Sequence, residues 1–261
     1  MPQTRLYRTF AAEHIARGPH DVPPQDPNAI QFLHDAEMGD GWLHPSSSNY
    51  TFIVELCAGD RRGFGVYKPR AGEAPLWDFP SGTLYKRECA AFELGRLLEW
   101  PVVPPTVVRE GELGIGSLQL FVPHPPDSNF FALKETHRDD VLRMAVFDIV
   151  ANNADRKGGH CFLAQAGGVW GVDHGLTFNV PRKLRTVIWD FAGEPVPRHL
   201  VTDLCTLLDT LVRDGPPALG ALQELLLPEE AAALQQRLEA VIREPVMPMP
   251  YSRRDLPWPW L

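Results

Sequence analysis

Lysine is scarce in this chain. Of its 25 basic residues only five are Lys: Lys68, Lys86, Lys134, Lys157 and Lys183. Basic charge as a whole is in deficit, with a net charge of −8. That argues against a general nucleic-acid binder, whose affinity comes from neutralising phosphates. Cysteine is sparse too. Cys57, Cys89, Cys161 and Cys205 are far apart and form no Cys-x-x-Cys pair, which excludes the usual zinc and disulfide frameworks. No apolar run approaches the roughly 20 residues of a membrane span. The first residues lack the basic segment and apolar stretch of a secretory leader. A cytoplasmic protein without a transmembrane segment is the expectation.

What is present suits a packed α+β protein. A chain of 261 residues has room for one large domain or two lobes sharing a cleft. Residues 26–38 read as a short helix, with Asp26 as N-cap and Pro27 at the first helical position, broken by Gly39-Asp40-Gly41. Tyr50 to Cys57 and Phe64 to Lys68 read as a hairpin around the Gly59–Gly63 turn. Residues 84–99 read as a helix, and 105–109 and 117–122 as two strands. Pro123 to Pro126 resembles a linker, so the first lobe is expected at 1–122 and the second at 123–261.

The second part opens with apolar residues at helical spacing over 138–152, with Asp139 and Asp140 suited to the helix N-terminus. A loop follows over 153–159. Two short strands over 161–164 and 169–172 then flank Gly167-Gly168. Helices are predicted over 198–213, 216–226 and 228–243.

Three features fit ATP chemistry. Asn153-Ala-Asp155-Arg-Lys-Gly-Gly-His160 follows an amphipathic helix, Val172-Asp173-His-Gly ends a short strand, and Lys68 ends a strand that follows a Ser-rich loop. Phosphoryl transfer requires a group that orients the acceptor hydroxyl, metal ligands, and a cation on the phosphates. The interval between Asp155 and Asp173 leaves room for one small hairpin, as the kinase arrangement needs.

The stretches Phe64-Gly-Val-Tyr-Lys68-Pro-Arg, Gly116-Ser-Leu-Gln-Leu-Phe-Val122, Asp148-Ile-Val-Ala-Asn-Asn-Ala-Asp155-Arg156 and Val172-Asp173-His-Gly-Leu-Thr-Phe178 occur in that order. Together they resemble the phosphatidylinositol 3-/4-kinase superfamily. Its type II phosphatidylinositol 4-kinase-like branch is similar, and an uncharacterised bacterial PI3/PI4-kinase-like family more so. The resemblance covers residues 45–180 or so. It implies a protein-kinase-like fold with a β-rich N-lobe, a mainly helical C-lobe and the active site in the cleft, with ATP and Mg²⁺ or Mn²⁺ as cofactors.

Residue by residue, it implies that Lys68 contacts the ATP phosphates and that Ser46, Ser47, Ser48 and Asn49 form the phosphate-covering loop. Gln119, Leu120, Phe121 and Val122 would be the adenine hinge, Asp155 the catalytic aspartate and Asp173 the principal metal ligand. Glu88 is the candidate partner of Lys68, with Glu93 as its rival on the same helix. Asp148 and Asn153 read as braces of the catalytic loop.

Two departures stand out. The loop at 46–49 lacks the glycines of many kinases. His160 stands where the type II pattern has Asn, and it is either a metal ligand that favours Mn²⁺ or a structural hydrogen-bonding residue. Neighbouring Cys161 and His160 would face opposite sides of a strand, which argues against a thiol nucleophile.

The implied activity is transfer of the γ-phosphoryl group of ATP to a hydroxyl on a protein, a small polyol or a lipid. Peripheral membrane contact stays open. A nucleotide-binding pseudokinase and a nucleotidyl transferase are the alternatives.

Overall fold

The structure is a computed structural model that describes residues 8–9, 15, 18–44 and 49–261. The chain divides into two compact units, residues 1–89 with 104–123 and residues 90–103 with 124–261.

The first unit is built on a six-stranded sheet in the order β1-β2-β3-β4-β6-β5. The strands are β1 (Arg8–Thr9), β2 (Glu37–Leu43), β3 (Phe52–Ala58), β4 (Arg61–Pro69), β5 (Thr106–Gly111) and β6 (Gly114–Leu120). All pairs are antiparallel except β1 with β2. The β3–β4 hairpin turns tightly at Gly59-Asp60, where Gly59 has φ +59°, a conformation that favours glycine in a short hairpin loop.

Alternation along β3 feeds two apolar clusters. Phe52, Val54 and Leu56 join Phe32 and Leu33 of the helix α1 (Ala29–Asp35), together with Tyr67, Leu118 and Leu120. Ile53 points the other way, into a cluster with Trp42 and Phe64. Period-two alternation with both faces covered explains why Phe52, Ile53, Val54 and Leu56 are all buried. Arg109 of β5 donates to Leu33 O and Ala36 O, so a cation satisfies carbonyls at the C-terminal end of α1.

Two sequence expectations change here. The helix expected over 26–38 begins only at Ala29, with Asn28 rather than Asp26 as N-cap. The glycines at 39 and 41 do not end the pattern but lie inside β2, whose register with β3 shifts between Met38 and Gly41. A Cβ at position 39 would come within 3.3 Å of Glu55 Cβ, so glycine there permits close strand pairing.

The helix α2 (Leu84–Leu97) is buried along most of its length, with Lys86, Glu93 and Arg96 on its narrow polar stripe. The second unit contains α3 (Phe130–Leu133), α4 (Arg138–Ala151), the hairpin β7 (Cys161–Leu163) and β8 (Val169–Gly171), α5 (Arg198–Asp214), α6 (Leu222–Leu225) and α7 (Pro228–Arg243). The helix expected over 216–226 is instead a 3₁₀ turn at Pro216–Leu219 and the short α6, separated by Gly220 with φ +53°.

From α4, Val141, Met144, Val146, Phe147 and Val150 are buried, and the acidic pair Asp139 and Asp140 occupies its first turn. α7 packs against α4 and α5. Its Arg237 donates from Nε to Val150 O at 2.7 Å, and burial lowers that guanidinium's pKa to about 10. All four cysteines are free thiols. Among the described residues no helix is long and apolar enough to cross a membrane.

Candidate active site

The first unit holds an ion pair. Lys68 lies on β4 opposite Ser117 of β6, and its Nζ donates to Glu88 Oε1 on α2. Glu88 is buried and Lys68 partly so; a buried carboxylate of this kind requires a cation. Glu93 instead pairs with Arg96 of its own helix at 3.0 Å, so helix phase brings Glu88 to the lysine. Gly116 lies beside this strand, and a Cβ there would meet Lys68 O at 2.4 Å and Pro69 Cα at 2.7 Å.

The other first-unit candidates divide sharply. Ser46, Ser47 and Ser48 lie outside the described residues. Asn49 Oδ1 accepts from Ala74 N–H at 2.7 Å, so its amide oxygen is committed to the backbone after β4. Gln119 is buried, with Nε2 donating to Thr106 Oγ1 at 2.9 Å. Leu120 N–H donates to Pro105 O at 2.8 Å, and Phe121 N–H to Phe64 O at 2.9 Å. Val122, the first residue past these pairings, makes no main-chain hydrogen bond among the described residues.

In the second unit, α4 ends at Asn152, whose φ of +54° turns the chain out of the helix. Asn153 Nδ2 donates to Asp148 Oδ1 at 2.9 Å, and its Oδ1 accepts from Asp155 N–H at 3.0 Å. Asp148 and Asn153 thus brace the loop. The organising side chain is Arg156, which sequence reasoning carried only as part of a motif.

Its guanidinium is fully buried and donates from Nε to Asp148 Oδ2 at 2.8 Å and from Nη2 to Asp148 Oδ1 at 2.9 Å. Nη1 donates to His160 O and Val172 O, each at 3.0 Å, and Nη2 lies 2.7 Å from His174 Nε2. Arg can only donate, so His174 Nε2 is the acceptor and its proton sits on Nδ1. Burial opposes the charge on Arg156, but the Asp148 carboxylate outweighs it and raises the pKa above the ordinary range. One guanidinium therefore fixes His160 and both flanks of Asp173 to α4.

Around this hub, Asp155, His160 and Asp173 come together. His160 Nδ1 is 3.1 Å from Asp155 O, and Nε2 is 3.4 Å from Asp173 Oδ2. A carbonyl oxygen only accepts, so Nδ1 carries a proton. In a neutral imidazole, Nε2 would then turn a lone pair toward a carboxylate, an arrangement that calls for a cation, either a second ring proton or a metal ion.

Asp173 has φ +61°, a left-handed conformation that Asp tolerates better than most residues and that is often found at functional sites. Among the described residues no group of three or more His, Cys, Asp or Glu could hold a metal. A divalent ion on His160 and Asp173 would take its other ligands from phosphate and water, which is how Mg²⁺ is commonly held beside a nucleotide.

Asp155 Oδ2 lies 3.0 Å from Lys157 Nζ. Burial raises the Asp155 pKa, Lys157 and Arg185 lower it, and the nearby Asp173 carboxylate adds to the rise. The net direction is upward. Lys157 was not singled out from the sequence; its place two residues after Asp155 was the available signal. Cys161 is buried, and that burial pushes its thiol up to about 12. A thiol nucleophile is therefore not available here.

No family model matches the chain. It is 40% identical over 249 residues to protein Rv2133c of Mycobacterium tuberculosis, covering 82% of this chain and 88% of that protein. The crystal structure of the Helicobacter pylori proinflammatory kinase CtkA aligns with a TM-score of 0.48 at 11% identity, over 81% of this chain and 93% of that one.

Proposed function

The chain belongs to the family of this mycobacterial protein, and we propose that it acts as an ATP-dependent phosphotransferase of the phosphatidylinositol 3-/4-kinase-like type. It would move the γ-phosphoryl group to a hydroxyl of a protein, polyol or lipid. The observation that carries this reading is the convergence of Asp155, His160 and Asp173 on the Arg156 hub.

Each residue has a distinct task in this reading. Lys68, held by Glu88, places a positive charge on the nucleotide phosphates. Val122 offers a main-chain N–H and C=O to the adenine edge. Asp155 accepts a hydrogen bond from the acceptor hydroxyl and orients it for in-line attack. His160 and Asp173 hold Mg²⁺ or Mn²⁺, which when bound offsets negative charge on the phosphates. Lys157, beside Asp155, adds a second cation at the place where charge is redistributed.

The test uses ATP labelled in the γ position and, separately, in the α position, with Mg²⁺ or Mn²⁺, on the wild type, Asp155→Ala and Asp173→Ala. Transfer or release of γ-label that is lost in both variants supports the kinase. Transfer of α-label means nucleotidyl transfer instead. Absence of nucleotide binding removes the proposal altogether.

One contact favours a second reading, a nucleotide-binding pseudokinase that regulates a partner. An acceptor hydroxyl must share the Asp155 carboxylate with Lys157, 3.0 Å away. Nucleotide binding without turnover across protein, polyol and lipid acceptors would select that reading.

A further inference from the structure

The first unit carries a partly open cavity of about 440 Å³, lined by none of the residues assigned above to ATP. Its walls are the segment after β4, the β5–β6 turn and the first residue of α2, with Leu76, Phe79, Leu84, Leu113 and Ile115 giving an apolar lining. The size falls in the range of small-molecule sites.

The walls are held in place. Tyr67 Oη donates to Gly114 O across the turn. The Arg87 guanidinium lies 4.9 Å from the centre of the Phe79 ring and backs it. At the rim, Gly82 has φ +72°, and a Cβ there would meet Arg70 Nε at 2.5 Å. Glycine therefore lets the Arg70 guanidinium lie along this wall.

The charges at the wall are not equivalent. Arg70 makes no ion pair with a carboxylate among the described residues. The lining carboxylate, Glu73, is turned away: its Oε1 accepts from Tyr85 N–H at 2.9 Å and its Oε2 is sealed from solvent. The cavity thus presents an apolar lining and one available cation.

We propose that this cavity binds a small amphipathic anion, with an apolar body in the pocket and a carboxylate or sulfonate on Arg70. The same wall reaches the Lys68–Glu88 pair. Glu73 satisfies an N–H in the first turn of α2, and Glu88, which pairs with Lys68, lies one turn further along that helix. An occupant would therefore bear on the lysine pair; this consequence, unlike the binding itself, rests on the kinase reading.

The probe is 8-anilinonaphthalene-1-sulfonate, titrated against the full chain at neutral pH and low salt, with circular dichroism confirming that every variant is folded. One saturable site is expected, with decanoate competing and decylammonium not. Arg70→Gln should weaken the probe about fivefold, the scale of one partly screened charge contact. Ile115→Trp should weaken binding by narrowing the cavity, and Leu113→Trp provides the same test where the first variant fails to fold. Lys68→Met should keep the saturable site, with affinity changed only a few-fold through the wall that α2 shares with Glu88, whether or not the chain transfers phosphate.

Absence of a saturable site overturns the proposal. So does binding indifferent to both Arg70→Gln and the narrowing variants, or binding lost in folded Lys68→Met, which would place the probe at the nucleotide site.

Discussion

Arg156 and Asp148 form a bidentate ion pair, with Nε–Oδ2 at 2.8 Å and Nη2–Oδ1 at 2.9 Å, and neither side chain is exposed. Removing one partner leaves the other charge buried without compensation. Asp148→Ala is expected to destabilise the protein by about 3–5 kcal/mol, measured by urea unfolding. Asp148→Asn, which keeps an acceptor but loses the charge, should fall between that variant and wild type.

The Lys68–Glu88 pair gives a graded prediction for nucleotide affinity. Glu88→Gln removes the charge that holds the lysine and should weaken ATP binding about tenfold, the scale of a lost charge-assisted hydrogen bond. Glu93→Gln, whose parent residue pairs with Arg96, should leave affinity close to wild type. Isothermal titration calorimetry distinguishes the two.

Gly116 is required by space. Its added Cβ would sit 2.4 Å from Lys68 O, and that obstacle is backbone. Gly116→Ala should cost about 1–3 kcal/mol through overpacking and also weaken ATP binding by displacing Lys68. A thermal melt with and without ATP measures both effects.

The thiols should divide by burial. Cys57 and Cys205 are partly exposed, whereas Cys89 and Cys161 are buried. Native labelling with an aromatic disulfide reagent should modify the first two, and all four only after unfolding. Reaction of Cys161 in the folded protein would contradict its placement in β7.

Local signals explain why part of this structure could be read from the sequence. The β3–β4 hairpin combines β-formers with a glycine turn, the β7–β8 hairpin surrounds Gly167-Gly168, and α4 carries its own apolar spacing and acidic first turn. Where the outcome depended on distant partners, reading failed. β2 looked broken at Gly39-Asp40-Gly41 because β3, which supplies its hydrogen bonds, begins nine residues after β2 ends. Glu88 and Glu93 could not be separated until helix phase was fixed by the fold. Asp155, His160 and Asp173 were nameable as types in order, but the inward turn of the Arg156 guanidinium depends on Asp148 and on two carbonyls from separate strand ends.

The segment after α7 returns to the loop that carries Asp155. Trp260 O accepts from Gly158 N–H at 2.7 Å, and Asp255 O accepts from Thr186 N–H at 3.0 Å. These bonds join positions about a hundred and about seventy residues apart in the chain. During synthesis the Gly158 N–H therefore lacks this acceptor until Trp260 has left the ribosome.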